Sequence, residues 1–201
     1  MSVAVIDYGA GNVPSVERAL EKLGAAPRRA RQPGDLARAS AIVLPGVGHY
    51  GAMIRALDER SLRAALLEAI GRGVPFLGIC LGLQALYSGS EEAPGLSGLG
   101  VLPGSIKSLP GSVKLPHMGW NRLRVRTPSA LLEGLAESDY FYFAHTFAAM
   151  DCLGAVVATC EYGVPFAAAL EQGRVCATQF HPEKSGDAGA RLLVNFLRLA
   201  A

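Results

Sequence analysis

The sequence predicts an α/β fold: a parallel (mixed) sheet flanked by helices, with an antiparallel extension in the C-terminal half. Two observations carry this. In the first half, short apolar runs alternate with amphipathic segments, as parallel strands joined by crossover helices do. In the second half, strand-like runs follow one another across short turns, and strands joined so closely pair antiparallel. The chain has 201 residues, the length of one α/β domain, and shows no repeat, linker or low-complexity tract. Residues 1–201 are therefore expected to form a single domain.

The elements follow in order. VAVID (3–7) is an apolar run ending in glycine-rich sequence, which suits a buried parallel strand. Pro14 opens a helix, PSVERALEKL, that Gly24 closes. AIVL (41–44) is a second buried strand, followed by the loop PGVGHYG. SLRAALLEAIGRG has apolar spacings of three and four and ends in glycine, so it reads as a helix. PFLGI (75–79) is the next strand, and LGLQALYS begins a helix directly after Cys80. In the second half, NRLRVR, DYFYF, GAVVATCEY, PFAAALEQ and RVCATQF read as strands. Turns at Tyr162-Gly163 and Gln172-Gly173 make hairpins of the last three. GDAGARLLVNFLRLAA is a closing amphipathic helix.

Composition narrows the function. Half of the residues are hydrophobic and 18% are charged, so the chain can bury a continuous core. A formal charge of +2 is too small to argue for nucleic acid or an acidic membrane surface. The densest basic cluster, Arg28, Arg29 and Arg31, has no glycine loop or aromatic beside it and reads as a solvated edge strand. The N-terminal apolar run lacks a basic flank and ends at Asp7, which suits neither a signal peptide nor an anchor. No apolar stretch approaches the roughly 18 residues of a membrane helix, so a soluble, cytoplasmic protein is expected. Cys80, Cys152, Cys160 and Cys176 form no C-x-x-C pair and have no zinc spacing with the histidines, so no metal and no cofactor are expected. Cys160 and Cys176 lie in apolar runs and read as inert core thiols.

Cys80 is different. Gly78-Ile79-Cys80-Leu81-Gly82, between a strand and a helix, is the cysteine form of G-x-S-x-G, the nucleophile elbow. Glycines two places either side let strand and helix approach, and the helix N-terminus favours thiolate. A buried structural cysteine in a glycine-rich turn is the bland alternative. A thiolate nucleophile needs a proton shuttle. His181 follows the strand RVCATQF, at the edge where open α/β sheets hold their sites, and Glu183 two residues on can orient and charge it. His49, His117 and His145 have no such neighbour and read as structural. PGVGHYG contains G-x-G-x-x-G, but it follows a later strand, and the acidic residue ~20 positions on, Glu68, falls inside a helix. The loop is better suited to oxyanion binding: backbone N–H groups of Val47 and Gly48 would act with that of Leu81.

Together these residues resemble the class I glutamine amidotransferases, a Cys-His-Glu group with a flavodoxin-like α/β fold. DYGAGN (7–12), PGVGHYG, GICLGLQ (78–84), PHMGWN (116–121), FYFAHTF (141–147) and QFHPEKSG (179–186) occur in an order similar to one subfamily. That subfamily is the glutaminase subunits of imidazole glycerol phosphate synthase, from histidine biosynthesis. The resemblance spans essentially the whole chain. GICLG and HPE mark the class, whereas PHMGWN and HPEKSG with DYGAGN mark the subfamily. Phe147 and Thr146 stand where the pattern has tyrosine and serine.

The resemblance implies Cys80, His181 and Glu183 as catalytic residues, and Gly48 and Gln84 as contacts for glutamine. A solvent-facing helix residue is the competing reading of Gln84. It also implies a cyclase partner with a (β/α)8 barrel that uses the released ammonia, with Asn12 and Lys184 at the interface. Lys184 reads equally as a plain surface lysine. Trp120 suits an interface anchor or, equally, a partly buried core tryptophan. The Gly46–Gly48 loop is expected to be poorly arranged until the liganded partner reorganises it. Three other readings stay open: the glutaminase subunit of pyridoxal phosphate synthase, a non-catalytic regulator of the barrel, and a generic cysteine peptidase or esterase.

Overall fold

The computed structural model describes residues 1–150 and 155–200. Cys152 lies outside the described residues. The first half builds β1 (Ser2–Ile6), α1 (Val13–Lys22), β2 (Ala26–Ala30), β3 (Ala41–Gly46), α2 (Tyr50–Glu59), α3 (Leu62–Gly71) and β4 (Phe76–Cys80), closed by one turn of helix, α4 (Leu81–Gln84). The second half adds β5 (Tyr87–Ser90), β6 (Leu102–Ser108), β7 (His117–Arg122), β8 (Arg124–Val125), β9 (Tyr140–His145), β10 (Phe147–Ala148), β11 (Val156–Tyr162), β12 (Val164–Gln172) and β13 (Val175–Thr178), then α5 (Gly186–Leu199).

The main sheet runs β2-β1-β3-β4-β13-β12-β11-β8. Its first five strands pair in parallel in the flavodoxin-like order, and β13, β12, β11 and β8 pair antiparallel. This is the predicted mixed sheet with its antiparallel extension, and the hairpin turns fall at Gly163 and Gly173, both at positive φ. β5, β6 and β10 form a small second sheet, and β7 with β9 a two-stranded ribbon.

Strand alternation explains the two-faced core. Val3, Val5, Val43, Leu77 and Ile79 point to one face, where α1 (Val13, Val16, Leu20) and α5 (Leu192, Leu193, Phe196) cover them. Ala4, Ile6, Ile42, Leu44 and Phe76 point to the other, under α2 and α3 (Met53, Ile54, Leu57, Leu62, Leu66). Strands buried on both faces must be apolar throughout, and β3 and β4 are buried at every residue. Among the described residues β2 pairs only with β1. Its basic cluster is a solvated edge, with Arg29 paired to Glu17 and Arg31 to Asp7, both at 2.8 Å. Among the described residues no helix is long and apolar enough to cross a membrane.

Besides the small β5-β6-β10 sheet, which the sequence did not predict, three elements differ from expectation. Helix α2 grows directly out of the PGVGHYG loop, with His49 as its cap: Nδ1 accepts from the Gly51 N–H at 3.0 Å. The helix after Cys80 ends at Gln84, because the carbonyls of Ala85 and Leu86 are taken by the N–H groups of Leu99 and Leu102 at 2.7 and 2.9 Å. The strand expected at NRLRVR begins earlier, at His117, and breaks at Leu123 into β7 and β8.

Candidate active site

Parallel register aligns three strand ends: Gly46 of β3 sits beside Cys80, and Thr178 of β13 beside Ile79. Whatever follows β3, β4 and β13 therefore converges on one edge, the carboxyl edge where doubly wound sheets bind ligands.

The turn at Cys80 is the strained elbow the sequence announced. Its φ of 54° with ψ of −105° is a conformation that non-glycine residues rarely adopt. The strain is held by close packing that only glycine permits. A Cβ on Gly78 would lie 2.6 Å from the Gly82 carbonyl oxygen, and one on Gly46 would lie 2.5 Å from the Leu81 Cβ. One on Gly82 would overlap the Leu44 carbonyl. The packed turn fixes Sγ above the sheet edge, at the N-terminus of α4.

His181 comes three residues after β13, held by its own N–H to the Tyr142 carbonyl at 2.9 Å and by the Ser185 hydroxyl, which donates to its carbonyl at 2.7 Å. A 3-10 turn over Pro182–Lys184 then brings Glu183 back, so that Oε1 lies 2.9 Å from Nδ1 of His181. Both side chains are almost wholly buried, 2% and 1% exposed. Glu183 Oε2 has no hydrogen-bond partner among the described residues, which leaves the imidazole as the principal compensation for a buried carboxylate. Burial alone would push His181 down. Hydrogen bonds to Cys80 and Glu183, and the negative charge of both, outweigh it and carry the imidazole up to about 10.

A cavity of about 270 Å³ opens over this edge, and its lining includes Val47, Gly48, Cys80, Leu81, Gln84 and His181. Lys184, Thr146 and Phe147 border it too. Gln84 is buried, 3% exposed, so it is not a solvent-facing helix residue. Its Nε2 donates to the Phe147 carbonyl at 2.8 Å and to Gln179 Oε1 at 3.1 Å. The Phe147 and Thr146 departures leave that contact intact, because it is made to backbone. Asn12 turns inward as well, Nδ2 donating to Glu183 Oε1 at 3.3 Å, a contact the sequence did not disclose. Trp120 is 56% exposed, which removes the core reading. The remaining histidines stand outside the Cys80–His181–Glu183 group. His117 and His145 form a buried pair, Nδ1 to Nε2 at 3.0 Å, which burial holds neutral at about 4 and about 3. Cys160 and Cys176 are buried thiols pushed up to about 12.

Chemically, the arrangement offers a sulfur nucleophile and an imidazole raised by Cys80 and Glu183, beside an amino-acid-sized pocket that Val47, Gly48 and Leu81 line. Comparison with known proteins agrees. The "Imidazole glycerol phosphate synthase subunit HisH" of Methanothermobacter thermautotrophicus is 49% identical, covering 98% of both chains. The proteins of the same name from Moorella thermoacetica and Deinococcus radiodurans are each 45% identical, over 96% and 98% of this chain and 93% of theirs. A solved structure described as "Crystal structure of glutamine amidotransferase" superposes with a TM-score of 0.79 at 25% identity, covering 98% of each chain. The "Structure of PurLQS from Thermotoga maritima" shares the fold, with a TM-score of 0.78 at 23% identity over 98% of this chain and 97% of that one. The family model for glutamine amidotransferase class-I matches residues 4–200, and with an elbow cysteine, a charged histidine and a glutamate at one sheet edge, the chain belongs to that family.

Proposed function

We propose that this chain is the glutaminase subunit of an imidazole glycerol phosphate synthase in histidine biosynthesis. One observation carries the chemistry: Cys80 stands at positive φ on the strand-to-helix elbow, sharing its pocket with an imidazole raised by Cys80 itself and by Glu183. Near-full-length identity of 43–49% to subunits of that name carries the pathway. Nothing in the comparisons favours a pyridoxal phosphate synthase subunit or a non-catalytic regulator.

In this reading glutamine enters with its carboxamide against Cys80. The thiolate attacks the carboxamide carbon, and the oxyanion is held by the N–H groups of Leu81, Val47 and Gly48. His181 gives its proton to the departing ammonia, leaving a glutamyl thioester. His181 then takes a proton from water, which hydrolyses the thioester to glutamate. Gln84 and Gly48 position the substrate.

Ammonia released into neutral water becomes ammonium, which is no nucleophile, so it must pass directly to an acceptor. The acceptor is a cyclase subunit with a (β/α)8 barrel, docked over the pocket mouth that Met118 and Lys184 border and reaching Trp120 beside Met118 on β7. Its products are imidazole glycerol phosphate and an aminoimidazole carboxamide ribotide, and the complex works in the cytoplasm. Residues 1–201 act as one amidotransferase domain.

The test is Cys80→Ala in complex with the cyclase. Glutamine-dependent turnover disappears while turnover with added ammonium salts persists. A Cys80→Ala complex that still hydrolyses glutamine overturns the assignment.

A further inference from the structure

Four buried polar side chains and the Phe147 carbonyl form a chain that ends on the nucleophile, and its polarity is fixed at that carbonyl. The Phe147 carbonyl oxygen can only accept. It receives Nε2 of Gln84 at 2.8 Å and Nδ1 of His145 at 2.9 Å. His145 therefore carries its proton on Nδ1, its Nε2 accepts, and His117 donates to it from Nδ1 at 3.0 Å. The Gln84 amide must turn its NH2 group towards Phe147, and the same nitrogen spends its other hydrogen on Gln179 Oε1 at 3.1 Å. Gln179 thereby has its oxygen occupied and its NH2 group turned the opposite way. There it meets Cys80 Sγ at 3.6 Å.

We propose that Gln179 is a further catalytic residue, a fixed N–H donor that holds the Cys80 sulfur as thiolate and sets its direction of attack. This deepens the glutaminase reading and rests on it. Gln179 is wholly buried, and its own N–H is tied to the Ala168 carbonyl at 2.9 Å, so its position is set by β12 and β13. A neutral amide suits the task. It stabilises negative charge on sulfur by hydrogen bonding, yet it cannot be deprotonated by His181 or compete with it as an acid. Gln84 then acts twice: its NH2 group fixes Gln179, and its oxygen is left to accept a hydrogen bond in the pocket.

The test reads the ionisation of the sulfur in the full chain. The other titratable groups around it are His181, Glu183, Tyr8, His145, Glu92 and Lys184, and substitution of Gln179 leaves all of them in place. The rate of Cys80 alkylation by iodoacetamide is measured against pH for wild type, Gln179→Met and Gln179→Glu. The inflection is expected to rise by about one pH unit in Gln179→Met and further in Gln179→Glu, which sets a carboxylate beside the thiolate. In complex with the cyclase, kcat for glutamine falls by about tenfold or more while KM changes little. Folded variants with a wild-type inflection overturn the proposal, since a merely structural glutamine would alter stability and leave the thiol alone. Should neither variant fold, nitrogen-15 NMR of the wild type decides. The Gln179 side-chain amide must shift with the same inflection as the alkylation, and an amide that stays still overturns the proposal. If alkylated wild type still hydrolyses glutamine, the glutaminase reading itself fails, which is a separate result.

Discussion

His181 and Glu183 are separated by one residue, yet their side chains meet at 2.9 Å between Nδ1 and Oε1, because Pro182 begins a 3-10 turn that folds the carboxylate back. The pair is local in sequence, and the Tyr142 carbonyl and the Asn12 amide hold its two members in place beside Cys80.

Glu183→Gln preserves the hydrogen bond to Nδ1 and deletes the charge. We expect kcat for glutamine hydrolysis to fall by about 10² to 10⁴-fold. The pH profile should move as well. In the proposed mechanism His181 protonates ammonia as an imidazolium, a form lost as pH rises through its pKa, which stands at about 10 against an ordinary 6.5. Without the carboxylate that value drops, so the alkaline loss of activity sets in at lower pH. Steady-state kinetics across pH 6 to about 10 check both expectations, and an unshifted alkaline limb would show that Glu183 does not hold the charge on His181.

The buried pair His117 and His145 predicts acid sensitivity. Both are held below the ordinary 6.5, at about 4 and about 3, chiefly by burial. Between those values and 6.5 the unfolded chain binds protons that the native state refuses, so stability rises with pH there and is lost as pH falls below about 6.5. The pair shares one hydrogen bond and does not titrate independently, so the loss is of order 2–4 kcal/mol by about pH 4. His117→Asn keeps a donor for His145 Nε2 and removes one titrating ring. Its denaturation midpoints should fall less steeply with acid than those of wild type.

Gly82 and Gly24 separate two uses of glycine. A Cβ at Gly82 would overlap the Leu44 carbonyl, whereas at Gly24, φ +79°, a Cβ would meet nothing within 4 Å. Gly82→Ala is expected to cost about 3 kcal/mol or more, or to prevent folding. Gly24→Ala pays only the left-handed backbone penalty, about 1 kcal/mol. Urea titrations of the two variants check the contrast; equal losses would mean that the elbow is not tightly packed.

These glycines also show what a sequence can and cannot disclose. The elbow was legible because strain, close approach and nucleophile sit within five consecutive residues. His181 and Glu183 were legible for the same reason, and the parallel half because doubly buried strands must be apolar. Gln179 was hidden: it stands in QFHPEKSG, but its amide reaches Cys80 only because β13 pairs with β4 in one register. Helix α2 was masked by the glycines before it, although Met53, Ile54 and Leu57 carry helical spacing. β5 and β6 contain YSGS and LPGSIKS, poor in β-branched residues, and are strands through pairing with each other and with β10 rather than through propensity.

Trp120 is a residue whose exposure removes the core reading, one of two that its sequence context left equal. It lies on the β7–β9 ribbon opposite Tyr142, 56% exposed, with Met118 on the same face at 64%. Its only ring contact among the described residues is edge-on to Tyr142 at 5.9 Å, and Lys184 Nζ sits over that same tyrosine at 5.5 Å. Met118 and Lys184 also border the pocket, so the exposed apolar face adjoins the site from which ammonia must leave. A side chain so exposed contributes little to folding, and Trp120→Ala should change stability by no more than about 0.5 kcal/mol. Large aromatic groups are where interface energy concentrates, so affinity for the cyclase should fall by about 10 to 100-fold. Calorimetric titration of the variant with the cyclase, beside a thermal melt, separates the alternatives. Unchanged affinity removes Trp120 from the interface, and a large fall in Tm returns it to a structural role.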